Sequence, residues 1–133
     1  MSHQLTPFSL NQVELLPSEF RRRFELNYRY LRSLKSDNLL QNHYLEAGLW
    51  GPRFGKSQSR THTAWQLPGD IHWGWESPTC QVRGQFVGHW LSAVSRIVGS
   101  TGDAELKAQA DAIVAEIGRC QRENGGEWAG PVT

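Results

Sequence analysis

A chain of 133 residues is long enough for one domain with a real core and too short for two ordinary ones. Fourteen Lys and Arg against thirteen Asp and Glu leave a formal charge of +1. The one basic cluster, Arg21–Arg23, reads as a solvated helix face, so an electrostatic footprint for nucleic acid is not visible. The N-terminus lacks a basic start followed by an apolar segment, and no apolar run is long enough to span a bilayer; export and membrane insertion are unsupported, and a cytoplasmic protein is the expectation.

Residues 1–17, with Pro7, Pro17 and the alternating stretch FSLNQVELL, predict an extended, strand-like arm lying across the body. From Ser18 the period changes. Ser18 suits an N-cap, Glu19 suits the positive end of a helix, and Phe20, Phe24, Leu31 and Leu34 recur at helical spacing. Asn27 falls on this stripe, where its amide either satisfies a buried backbone group or points into a cavity. The run KSDNLLQNHYLEAG predicts an Asp37 N-cap and a short helix with Leu39, Leu40, Tyr44 and Ala47 inward, His43 as a core residue, and Gly48 closing it.

Residues 49–80 form a long predicted loop rich in Gly, with three of the six Pro and four of the six Trp. That much aromatic surface must pack on something or line something. A helix then runs from about Gln81 to Val98 with Val82, Phe86, Trp90, Ala93, Val94 and Ile97 on its stripe; Gly84 and Gly88, four apart, suggest close approach of a backbone or a ligand. GSTGD makes a tight turn, Asp103 caps the last helix, and Leu106, Ala110, Ile113, Val114 and Ile117 carry its stripe to Cys120, making an antiparallel hairpin before an unpatterned tail containing Trp128. About four amphipathic helices make the class all-α.

Chemistry-bearing groups concentrate in HWGWESPTCQVRGQFVGHWLSA, His72 to Ala93. The loop around this stretch offers only Asp70 and Glu76 as acids, which is too little to mark a catalytic carboxylate pair. His72, Glu76, Cys80 and His89 match no metal-site spacing, Cys80 has no local partner to activate it, and GPRFGK lacks the strand a phosphate loop needs. Cys80 and Cys120 read as two free thiols. Gln85 and His89 at i and i+4, with Trp73, Trp75 and Glu76 at the helix start, form a candidate rim of donors, acceptors and aromatic planes. The competing structural reading has Glu76 paired with Arg83 to fix the loop, His89 in the core, and the tryptophans sealing it.

Taken in order, ELNYRYLRSLKSDNLL, EAGL, GWESPTCQVRGQFVGHWLSAVSRI and TGDAELKAQADAIVAEIGRCQRENGG resemble the N-terminal part of the catalytic domain of glycoside hydrolase family 127, the non-reducing-end β-L-arabinofuranosidase type, over nearly the whole chain. The resemblance implies an (α/α)6 toroid of the six-hairpin kind, of which this chain would be a truncated portion, and an L-arabinose-containing glycan as substrate. It also implies zinc-assisted retaining hydrolysis in which a cysteine thiolate is the nucleophile and a glutamate the acid/base. Those groups and the zinc ligands lie further along the family's chain, so no catalytic or metal-binding residue is carried over, Cys80 and Cys120 included, and the chain is expected to be inactive by itself. Trp75, Glu76 and His89 match the family pattern, and Gln85 stands where relatives read His. These four are the expected substrate-binding residues. The alternative is a non-catalytic carbohydrate-binding or protein-interaction module, with association through an exposed apolar helical edge.

Overall fold

The structure is a computed structural model that describes residues 6–49 and 71–131. The described residues form five α-helices and no strand: α1 (Glu19–Ser33), α2 (Ser36–Leu39), α3 (Gln41–Glu46), α4 (Phe86–Thr101) and α5 (Ala104–Glu123). The all-α class therefore holds. No described helix is long and apolar enough to cross a membrane.

Residues 6–17 are extended except for one 3-10 turn, Leu10–Gln12, so the predicted arm exists but forms no strand among the described residues. It lies on α4, where the Leu10 side chain fills the space beside Gly99 that a Cβ would contest at 3.2 Å. Ser18 caps α1 as expected by accepting the Arg21 amide. The Arg21–Arg23 cluster is a solvated face, ion-paired along the helix with Glu19 and Glu25. Two residues of the predicted stripe miss the core. Phe20 is exposed, and so is Asn27, which neither satisfies a buried group nor enters a cavity.

The second predicted helix is two short ones. Leu40 (φ −95°, ψ −1°) breaks the ladder between α2 and α3, and Lys35 rather than Asp37 occupies the N-cap position. Gly48 (φ +69°) closes α3 as predicted: its amide bonds to the Leu45 carbonyl and the Leu49 amide to that of Tyr44, a Schellman arrangement that needs a left-handed residue.

The helix predicted from Gln81 begins five residues later, at Phe86, because Gly84 adopts φ +83° and cannot continue a right-handed helix. Val82 is consequently off the helix and exposed, and Val87 takes its place in the core. Gly84 does meet another segment, the Pro131 ring, which would lie 2.7 Å from a Cβ there; Gly88 meets nothing. Gly102 (φ +71°) ends α4, and the Asp103 carboxylate caps α5 by accepting the Leu106 amide at 3.0 Å. The two helices form a hairpin across which Val87, Trp90, Val94 and Ile97 pack with Leu106, Ile113 and Cys120. Leu31, Leu39, Leu40 and Tyr44 complete the core, and the Trp90 indole donates to the Leu31 carbonyl at 3.0 Å, tying α4 to α1. Cys80 and Cys120 are both free thiols.

Candidate functional site

The site is built on three buried polar side chains. Gln41 and Asn42, consecutive at the start of α3, are each 1% exposed. The Gln41 amide donates to the carbonyls of His72 and Glu76, both at 2.8 Å, and its oxygen accepts the His72 amide at 2.8 Å. Asn42 donates to the Glu76 carbonyl and to Glu76 Oε2, both at 3.0 Å. These bonds fasten residues 72–76, including the 3-10 turn Gly74–Glu76, onto α3.

Glu76 itself is buried and spans to the next element. Its Oε1 accepts the Phe86 amide and its Oε2 the Gly84 amide, each at 2.9 Å. A helix leaves its first amides without partners and its N-terminus favours negative charge, so this carboxylate supplies the cap that Gln85, whose side chain makes no cap bond, does not. The predicted Glu76–Arg83 pair does not form, because both carboxylate oxygens are committed to these amides and Asn42; Arg83 instead approaches Glu46 at 3.5 Å.

What these bonds hold in place is a cleft of about 370 Å³ between α1, the 71–82 segment and the first turn of α4. Trp75, 82% exposed, and Trp73, 47% exposed, offer aromatic faces; Tyr30 faces them from α1; Gln85 and His89 present polar groups from the N-cap and the first turn of α4. His89 is exposed, which overturns the reading that placed it in the core. Below them His72 meets the Phe86 ring edge-on at 5.9 Å between centroids, closing the floor. The structure thus brings Trp75, Glu76, Gln85 and His89 to one cleft, but in two capacities. Trp75, Gln85 and His89 are open to solvent, whereas Glu76 is the staple behind them. Sequence reasoning missed Gln41, Asn42 and Tyr30. The signal for the first two was present: two amides side by side between Leu40 and Tyr44, in a helix otherwise turned inward.

Asp70, the other acid of the loop, lies outside the described residues, as do Trp50 and Trp65. No group of three or more His, Cys, Asp or Glu among the described residues is placed to hold a metal ion.

Residues 12–126 match the sequence model of a family described as beta-L-arabinofuranosidase, GH127 catalytic domain. The chain belongs to this family. Neither the curated proteins nor the solved structures supply a match to it. The runs that carried the resemblance now have physical roles: GWE is the stapled 3-10 turn, RG ends in the left-handed residue that precedes the α4 N-cap, and TGD is the αL stop followed by the α5 cap.

Proposed function

We propose that this GH127 chain forms the N-terminal portion of an (α/α)6 toroid and supplies one wall of a glycan-binding cleft suited to L-arabinofuranosyl units, without performing hydrolysis by itself. The observation that carries this reading is the cleft itself. Two solvent-facing indoles stand beside a neutral amide and an imidazole, on a wall whose Gln41 and Glu76 side chains are already engaged with the backbone. Aromatic planes with a few convergent donors and acceptors suit a small polar ring. Gln85 can donate and accept a hydrogen bond to a sugar hydroxyl but cannot titrate, so it serves to orient. Glu76, fully committed to backbone amides, holds the wall in shape rather than acting as acid or base. We read the protein as cytoplasmic.

The test is a titration of the 133-residue chain with arabinose-containing oligosaccharides, followed by NMR. Shifts confined to Trp73, Trp75, Gln85 and His89, weakened about tenfold in Trp75→Ala, are expected; that loss corresponds to about 1.4 kcal/mol. An unperturbed cleft overturns the glycan reading, and release of p-nitrophenol from an arabinofuranoside by this chain overturns the non-catalytic part.

A second reading, a protein-interaction module, draws on the exposed apolar side chains of Phe20 and Leu26 on α1. Concentration-dependent association that Phe20→Ser abolishes would favour it.

A further inference from the structure

Away from the cleft, the imidazole of His43 is sealed inside the protein. It is 5% exposed, and its Nδ1 is buried with no hydrogen-bond partner among the described residues. One side of its enclosure is the segment that follows α5. A Cβ on Gly130 would lie 3.4 Å from His43 Nε2, and the small space around the ring is bounded by Cys120 and Asn124 of α5 and by Trp128 and Ala129. Pro131 then wedges onto Gly84, whose own Cβ position is 3.6 Å from His43 Cε1. His43, Gly84 and the 128–131 segment therefore form one stack. None of the backbone hydrogen bonds among the described residues reaches 127–131, so packing alone seats this segment.

We propose that Trp128–Pro131 is a pH-released latch, seated while His43 is neutral and lifted when its ring gains a proton. A proton on Nδ1 would create a buried cation whose N–H has no acceptor, a costly state that opening to water relieves. The way out is through the segment held least firmly, not through the core that α3 and α5 form on the other side of the ring. Among the described residues, the charged and titratable groups around His43 are Glu46 on its own helix, Glu76 behind the cleft, Arg83 paired with Glu46, and Cys120 of α5; 128–131 adds none. Glu76 draws His43 toward the charged form, yet burial outweighs it and holds the imidazole below its ordinary range. The latch reaches the cleft through one residue, since Gly84, against which Pro131 packs, also donates its amide to Glu76. It does not depend on what the cleft binds.

The test follows the His43 ring and Trp128 indole resonances of the 133-residue chain by NMR from about pH 7.5 to pH 5, a window set by the ordinary imidazole value. The Trp128 environment should open with the same midpoint as His43, below that of a free imidazole, with the open-to-seated ratio rising at most about tenfold per pH unit, while the core resonances stay native. In His43→Asn the Trp128 response should vanish. In Pro131→Ala, which loosens the segment without touching the ring, the His43 midpoint should move up toward its ordinary value. A Trp128 signal indifferent to pH, an equal response in His43→Asn, an unmoved His43 midpoint in Pro131→Ala, or loss of the core resonances in the same step would each overturn the latch. Should His43→Asn fail to fold, the wild-type and Pro131→Ala midpoints decide.

Discussion

Glu76 Oε1 accepts the amide of Phe86 at 2.9 Å, so the residue that ends the tryptophan turn also starts α4. Truncating this carboxylate leaves two amides without their acceptor and removes one of the two acceptors of the Asn42 side chain. Glu76→Ala should cost about 2–4 kcal/mol, since a buried charged hydrogen-bonding group is lost and its partners are orphaned. Glu76→Gln, which keeps one acceptor oxygen, should cost about half as much. Urea denaturation measures both, and an effect under about 0.5 kcal/mol for the alanine variant would remove the staple from the account.

Trp75 should behave in the opposite way. Its side chain stands mostly in water, so Trp75→Ala should change stability by no more than about 0.5 kcal/mol while weakening glycan binding. A thermal melt beside the NMR titration separates the two effects. A large drop in stability would mean that the indole seals the fold and does not serve a ligand.

Gly84→Ala should destabilise by about 2 kcal/mol or more. The added methyl group is strained at φ +83° and collides with the Pro131 ring, so the two costs add. Gly88→Ala is the matched control, because nothing lies within 4 Å of its Cβ and the residue is helical. There alanine should be neutral or stabilising by up to about 1 kcal/mol. Equal effects of the two substitutions would contradict the close approach at Gly84.

Trp90→Phe should cost about 1–3 kcal/mol, because it keeps most of the packing but leaves the buried Leu31 carbonyl without its donor. The urea midpoint against wild type checks this. A neutral outcome would mean that water reaches that carbonyl.

Acid should act in two stages. His43 is held below its ordinary range by burial, so the folded protein takes up that proton later than the unfolded chain; the stability it contributes is full above about pH 6.5 and declines as pH falls from there. Glu116, held low first by its bond from Arg119, and Asp103, held low first by the Leu106 amide, contribute stability that persists until pH drops through the ordinary carboxylate range near 4. Urea midpoints taken across pH should therefore show a shallow decline and then a steeper one, and His43→Asn should remove the first alone.

The helix boundaries that local chemistry dictates were legible in the sequence. Ser18, Gly48, Gly102 and Asp103 each do what their residue type favours, because a cap is decided within four residues. The break at Leu40 and the late start at Phe86 were not legible: both arise where the chain must meet a distant segment, Glu76 in one case through Asn42 and in the other through Gly84. For the same reason the pattern exchanged Val82 for Val87, which a helix starting at Gln81 would not bury. Of the site, the grouping of Trp75, Gln85 and His89 could be read from spacing on one helix and its lead-in. The inward commitment of Glu76 could not, since its partners lie eight, ten and thirty-four positions away.

The double engagement of Gln41 with His72 works as a tooth in a gear. One side chain both gives to and takes from the same backbone residue, and this fixes where the tryptophan segment docks and also which way it runs. Inserting a single residue into α3 directly after Gln41 would turn that amide by about 100° relative to the rest of the helix and disengage it. The cleft would then lose its wall while keeping every residue that faces the ligand, so in this chain the alignment of α3 is as much a determinant of binding as the indoles themselves.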